Sequence, residues 1–381
     1  MNPHQPGDAV RQLERVLEAQ PLDVALHQQL ASAHAAVLEL PECEVELTAI
    51  CRDLPFAFTS QLHLAALHLG RGDRRGAVIG FLRAIKTAQL RGFWLDNGST
   101  PTWIRDLVLR GMTVAHAGRG ELFHEVLEPL VARYGDDELG RVKRALAMYV
   151  GLEPTVRDDP HQQPSFLYVP GLPRAPVFPR DALPFADWYE AQTEAIAAEL
   201  RGVIGGDGIQ PFHYDVPPAE RDQLTAGAWD AYFFYVDGER NAAHHAACPA
   251  TSAVLAALPL DHVRDHGPEV CFSIMRPGAH ILPHRGVTNA RAVLHLGLEI
   301  PDGCALHLVG VTEQRWQAGR CLAFDDTYEH EAWNRSATTR TILLGDIWNP
   351  YLRPAECAAL AELVGAIGDV NRATEPAPLT R

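Results

Sequence analysis

The residues whose types and spacing could do chemistry lie in the last third of the chain. His284 stands in Pro-His-Arg-Gly, eleven residues after Ser273, and His330 stands in Phe-Asp-Asp-Thr-Tyr-Glu-His-Glu-Ala-Trp-Asn, ten positions before Arg340. A neutral imidazole suits Fe(II), and two of them leave coordination positions open for a chelating cosubstrate and dioxygen. Taken singly, any one of the eighteen histidines is more often a surface or core residue than a ligand, so the combination carries the weight.

These residues need elements that aim them. From Arg291 to Ile300 the chain alternates with period two: Ala292, Leu294, Leu296, Leu298 and Ile300 share one face, and Arg291, Val293, His295, Gly297 and Glu299 the other. The first face is continuous core, and the second is polar where a barrel interior would hold a ligand. Thr338–Trp348 repeats the pattern, with Arg340, Ile342, Leu344, Asp346 and Trp348 on one side. An Arg pointing into an apolar barrel is costly unless an anion meets it. The plainer alternative for Arg340 is a strand-end Arg that reaches solvent.

The texture around these strands changes along the chain. Residues 8 to 150 carry helical periodicity. Pro21 and Pro55 lie one tetratricopeptide-length period apart, and at the same offset Leu30 pairs with Leu64, Ala31 with Ala65, His34 with His68 and Leu47 with Phe81. Two degenerate repeats fit this, and an irregular helical bundle fits it as well. Prolines then recur from Pro154 to Pro184, each removing a backbone donor, which marks a linker or extended arm. Phe185–Arg201 has the pattern of one amphipathic helix. Beyond Gly202, short alternating runs predict an antiparallel β domain to about Asn349, and a helix near Pro354–Ile367 precedes the tail.

Several stretches of this β region are specific: Pro-Gly-Leu-Pro at 170–173, Cys-Pro-Ala-Thr at 248–251, Phe-Ser-Ile-Met-Arg-Pro-Gly-Ala-His-Ile-Leu-Pro-His-Arg-Gly at 272–286, Thr-Asn-Ala-Arg at 288–291, His-Leu-Gly-Leu at 295–298, the His330 motif at 324–334 and Asp-Ile-Trp-Asn-Pro at 346–350. Through them, Pro170 to Pro354 resembles the aspartyl/asparaginyl β-hydroxylase family, a double-stranded β-helix branch of the 2-oxoglutarate oxygenases. The resemblance implies His284 and His330 as iron ligands, with Gly286 where other branches carry the carboxylate of a facial triad. It implies Arg340 and Ser273 as the grip on the distal carboxylate of 2-oxoglutarate, His295 as a donor to its other carboxylate, and Arg291 near a substrate carboxylate. The animal peptide hydroxylases carry a second Arg two positions after that one; this chain has Val293.

The resulting expectation is an α+β multidomain chain: a helical, tetratricopeptide-like domain (1–150), a Pro-rich linker or arm (151–184), a double-stranded β-helix domain of jelly-roll, cupin-like type (185–353), and a C-terminal helix and tail (354–381). The expected cofactors are Fe(II) and 2-oxoglutarate. The expected substrate is a peptide or protein, hydroxylated at the β-carbon of Asp or Asn and presented by the helical domain. Competing readings are a non-peptide acyl or amino-acid substrate, or a catalytically silent binding scaffold. For the neighbours, His280 reads as structural or supporting, since Pro283 denies it a helical pairing with His284. Asp325 and Asp326 read as a turn or as supports to the metal rather than as its missing carboxylate.

Bulk properties narrow the classes. The net charge is −15 and no Lys/Arg cluster stands out, so nucleic-acid binding is disfavoured. No apolar run approaches the roughly 18 residues of a membrane span, and the N-terminus lacks the features of a secretory signal, so the expected location is cytoplasmic. The seven cysteines are odd in number and never spaced C-x-x-C, so they read as reduced, mostly buried small hydrophobes.

Overall fold

A computed structural model describes residues 6–19, 23–213 and 224–378. Two compact units emerge: 1–125 with 366–381, and 126–365. Among the described residues no helix is long and apolar enough to cross a membrane. The seven cysteines are unpaired, with Cys248, Cys271 and Cys304 buried and the other four half-buried.

The first unit is helical. It contains α1 (Pro6–Ala19), α2 (Val24–Leu38), α3 (Cys43–Asp53), α4 (Phe58–Gly70), α5 (Arg74–Leu90) and the first part of α6 (Arg105–Tyr134). Short polar caps start two of these helices: Asp23 accepts from Leu26 N at 2.9 Å and Asp73 from Gly76 N at 2.9 Å. Val10, Leu17, Leu30, Val37, Leu47 and Ile50 form one buried cluster across α1–α3, while Leu62, Ala65, Phe81, Ala84 and Val108 belong to a second across α4–α6. Small residues make the second possible, since a Cβ on Gly80 would stand 2.8 Å from that of Ala65. Of the residue pairs that suggest a repeat, Pro21 lies outside the described residues; the rest fall on or beside α2–α5.

The second unit carries α7 (Gly140–Tyr149) and is built on two antiparallel sheets. Its strands are β1 (Gln210–Pro211), β2 (Thr225–Ala226), β3 (Trp229–Val236), β4 (Glu239–Arg240), β5 (Val270–Met275), β6 (His280–His284), β7 (Arg291–Glu299), β8 (Cys304–Leu308), β9 (Thr312–Gln314), β10 (Cys321–Phe324), β11 (His330–Asn334) and β12 (Arg340–Trp348). One sheet runs β1-β3-β5-β12-β7-β10, with β4 beside β3, and the other β2-β6-β11-β8-β9. From β5 to β12 the chain keeps crossing between the sheets, which is the winding of a jelly roll. Met275, Val293, Phe324 and Ile342 from the first sheet share a buried cluster with Ile281, Leu306, Leu308 and Ala332 from the second, so the two sheets face each other.

The alternation of β7 explains how the barrel is both packed and hollow. Ala292, Leu294, Leu296 and Leu298 pack outward against Ile196, Ala197 and Leu200, on α9 (Thr193–Val203). Truncating a fully buried member such as Leu294 to Ala would cost about 2–5 kcal/mol. Arg291, Val293 and His295 face inward. Gly297 admits no side chain, because a Cβ there would lie 2.3 Å from the Gln317 carbonyl oxygen where the next segment crosses.

Two local features differ from, or add to, the sequence reading. The helix expected over Phe185–Arg201 is divided into α8 (Ala186–Glu190) and α9, and the Glu190 carbonyl accepts the Thr193 hydroxyl at 2.6 Å at the break. The Glu190 side chain is drawn to Arg180, Arg320 and the Cys321 amide, which periodicity cannot foresee. The Pro-rich segment lies along the barrel: Asn289 exchanges hydrogen bonds with the Val169 backbone at 2.7 and 2.9 Å, and Phe178 N donates to Ala323 O at 2.9 Å.

Candidate active site

Ser273, His284, Arg291, His295, His330 and Arg340 come from five strands of the two sheets, and all line one cavity of about 500 Å³ inside the barrel. Their arrangement follows from register. His284 on β6 is paired directly with His330 on β11, so their side chains leave the sheet together and the ring centroids stand 4.1 Å apart.

Both rings are locked in the same tautomer. His284 Nδ1 lies 2.8 Å from the Leu282 carbonyl oxygen and His330 Nδ1 lies 2.9 Å from that of Tyr328. A carbonyl only accepts, so each Nδ1 carries the proton and each Nε2 keeps its lone pair. Burial first, then the neighbouring His284, pushes His330 down to about 3, so it stays neutral and able to ligate. Among the described residues no third His, Cys, Asp or Glu completes a three-ligand metal cluster.

Gly286 shows why no carboxylate stands two residues after His284. A Cβ there would meet the Asp326 carboxyl group at 2.0 Å, so that carboxylate already fills the space of the missing side chain. Asp326 is buried and receives Arg291 Nη2 at 3.3 Å. Asp325 belongs to the turn instead, accepting from Gln162 at 2.6 Å and from the Thr327 amide and hydroxyl at 3.0 and 2.6 Å.

On the floor of the cavity lies a cation without a counter-ion among the described residues. Arg340 is 1% exposed. Its Nη1 reaches Ser273 Oγ at 3.3 Å and the Ser273 carbonyl at 3.4 Å, its Nε has no partner, and it sits over the Trp316 ring at 4.8 Å. Burial lowers it to about 10, which still leaves it charged at neutral pH, and among the described residues no carboxylate pairs with it. Such a cation is strongly disfavoured unless an anion arrives. Ser273 Oγ already accepts from Trp229 Nε1 at 2.9 Å as well as from Arg340, so its own proton is free to be given to a ligand.

His295 has the opposite tautomer from the two paired histidines. Trp316 Nε1 donates to its Nδ1 at 3.0 Å, so the neutral ring carries its proton on Nε2 and offers a donor. Burial, with Arg340 and His330 beside it, holds this imidazole well below the usual histidine range. Ser273, His295 and Arg340 are therefore all hydrogen-bond donors, as an anion requires.

Arg291 differs, because its charge is already answered. Nη1 contacts Asp346 Oδ2 at 3.1 Å while Nη2 contacts Asp326, and the two carboxylates raise the guanidinium above its ordinary value. Asp261 lies behind them, its carboxyl raised by burial and by Asp346. His280 stands apart, sharing Glu331 with His307 at 2.7 and 2.9 Å. Trp229, Trp316 and Asp346 are the site-forming residues that sequence reasoning missed. Only Asp346 had a visible signal, its place on the Arg340 face of β12.

With two locked nitrogen donors above an uncompensated arginine, the comparison with known proteins becomes specific. A family model described as Aspartyl/Asparaginyl beta-hydroxylase matches residues 190–350. That stretch is less than half of the chain, and it takes in the strands that carry the histidine pair and Arg340. The match supports an oxygenase enzyme. Aspartate beta-hydroxylase domain-containing protein 2 of Rattus norvegicus is 29% identical over 253 residues, covering 64% of this chain and 71% of the relative. The Ornithine lipid ester-linked acyl 2-hydroxylase of Rhizobium tropici is 34% identical over 186 residues, covering 48% and 64%. The human Aspartyl/asparaginyl beta-hydroxylase is 35% identical over 144 residues, covering 38% of this chain and 19% of that protein.

Proposed function

We propose that this β-hydroxylase-family domain is an Fe(II)- and 2-oxoglutarate-dependent hydroxylase, with His284 and His330 holding the metal and Arg340, Ser273 and His295 holding the cosubstrate. The observation that carries this reading is the buried Arg340, without a carboxylate partner among the described residues, in the same cavity as two histidines whose Nδ1 protons go to backbone carbonyls. A dicarboxylate supplies both missing partners: one end neutralises Arg340 and accepts the Ser273 proton, and the other reaches toward the histidines. Iron, once bound, would supply dioxygen activation and hydrogen-atom abstraction. The overall reaction consumes substrate, dioxygen and 2-oxoglutarate and yields alcohol, succinate and carbon dioxide.

What the chain contributes is placement. His284 is exposed at the mouth and His330 buried beneath it, so the two would hold a metal nearer the opening than Arg340, which lies deep. Trp316 orients both the His295 tautomer and the Arg340 guanidinium. Asp326 keeps one carboxylate oxygen without a partner among the described residues and would accept a hydrogen bond from a donor beside the histidine pair.

For the substrate, the first reading is the β-carbon of an Asp or Asn residue in a peptide or protein, with α2–α3 and α4–α5 read as two degenerate tetratricopeptide repeats that present it. A specific observation favours a second, an uncharged group such as an acyl chain. Arg291 is neutralised by Asp346 and Asp326, its neighbour inside the barrel is Val293, and the exposed Leu224 and Val287 border the same cavity.

An anaerobic titration of metal-free protein with Fe(II) and 2-oxoglutarate tests the assignment through its visible charge-transfer band. We expect the band in wild type, its loss in His330→Ala, and a far higher 2-oxoglutarate requirement in Arg340→Ala. No band from folded wild type would leave the silent scaffold. Mass spectrometry for a gained oxygen, with Asn, Asp and acyl substrates compared, then separates the two substrate readings.

A further inference from the structure

The helical unit contains a second cavity, of about 310 Å³, that the hydroxylase chemistry does not use. This is near the lower end of the roughly 300–1,000 Å³ typical of small-molecule sites. Leu17, Leu30, Phe56, Phe58 and Phe93 give it an apolar, aromatic wall, and Glu14 is set into that wall.

Glu14 does not belong in such a wall without a partner. It is 5% exposed; Ser60 hydrogen-bonds its carboxyl and His27 lies near enough to favour the carboxylate, but its Oε1 has no hydrogen-bond partner among the described residues. His34 Nε2 is 3.7 Å from that oxygen, but burial pushes this imidazole down to about 4, so it brings no charge near neutrality. Arg91 borders the cavity with its donors spent on the carbonyls of Thr87, Ala377 and Pro378, and Glu18 is the acid beside it. His27 is the remaining titratable group on the wall. Burial lifts the Glu14 carboxyl up to about 8, so with nothing bound it is largely protonated at neutral pH.

We propose that this cavity binds an aliphatic ammonium group, carried by a lysine side chain or a small alkylamine, with Glu14 as its counter-ion and the three phenylalanines around its hydrocarbon stem. An ammonium brings three N–H donors to a carboxyl that has an oxygen to spare, and phenyl faces attract a cation electrostatically. The stem satisfies the aliphatic and aromatic wall, and the charge ends at Glu14 Oε1, the buried carboxyl oxygen of the wall that has no partner among the described residues. Since Glu14 must ionise to pair with the guest, binding at neutral pH releases a proton.

Calorimetry on the full chain near neutral pH tests this, using n-butylammonium chloride, n-butanol, Nα-acetyl-lysine methylamide and its Nε-acetylated counterpart. The ammonium probes are expected to bind saturably and at least about tenfold more tightly than their uncharged partners. Heats in two buffers of different ionisation enthalpy should reveal proton release from wild type, and Glu14→Gln, nearly equal in volume, should erase the preference for charge. Binding of both ammonium probes, or of the lysine derivative alone, supports the site and tells a free amine from a peptide source. Equal binding of butanol or of acetylated lysine, no proton release, or unchanged ammonium binding by Glu14→Gln would overturn it.

Discussion

His284 and His330 occupy directly paired positions on the antiparallel strands β6 and β11, and each donates its Nδ1 proton to the carbonyl of the residue two before it. The register therefore sets how close the two rings stand, and the local backbone sets each tautomer. With only two protein donors, iron should be held weakly: we expect a chelator to strip it within a single dialysis. Either His→Ala variant should abolish binding under conditions where wild type retains it. Competition against a coloured Fe(II) chelator checks this, and chelator-resistant iron would contradict a two-donor site.

The lone charge of Arg340 predicts a stability trade. Arg340→Met removes a buried cation without a counter-ion and keeps most of the volume, so the ligand-free protein should unfold at higher denaturant. The same variant should lose 2-oxoglutarate binding. Arg340→Lys keeps the charge but not the fork, and its 2-oxoglutarate affinity should fall roughly 10- to 100-fold, the equivalent of one charged hydrogen bond. Denaturant curves and a cosubstrate titration read the two effects separately.

Gly286→Asp places a carboxylate where a facial triad would have one, yet it should not tighten iron. Its Cβ would overlap the Asp326 carboxyl group, which Arg291 holds in place, so the expected result is overpacking that costs about 1–3 kcal/mol. Gly286→Ala should lose a similar amount. A gain in iron affinity in the Asp variant would show that Asp326 can move aside.

Glu14 gives a pH dependence with a definite sign. Its carboxyl is raised from 4.5 to about 8, so between those values the folded chain binds the extra proton and stability falls as pH rises. His34 and His63, held down to about 4 and about 3 by burial, act the other way below the ordinary histidine range. Comparing Glu14→Gln with wild type isolates the carboxyl: the variant should be the more stable at pH 8, and the difference should vanish by pH 4.5. Guanidinium unfolding at those two pH values measures it, and an equal difference at both would refute the assignment.

Much of the catalytic barrel was legible in the residues themselves. Period-two alternation over Arg291–Ile300 and Thr338–Trp348 separates an outward apolar face from an inward one bearing Arg291, His295 and Arg340, because a strand's side chains must alternate. That same constraint put Asp346 and Leu344 on the inner face before any coordinates. Helical periodicity was equally plain in the first unit. It did not foresee the break before Thr193, which depends on distant partners of Glu190.

Tertiary structure alone decided the chemistry of those side chains. A histidine's tautomer is set by what its other nitrogen meets, so only the fold places the proton of His284 and His330 on Nδ1 and, through Trp316, that of His295 on Nε2. Arg291 and Arg340 look alike in sequence, but contacts 35 and 55 residues away neutralise the first, and none neutralises the second. Glu14 looks like any helical glutamate until the helices close over it. Pattern reports which way a side chain points; charge state and partnership depend on atoms brought together from far along the chain, and only folding does that.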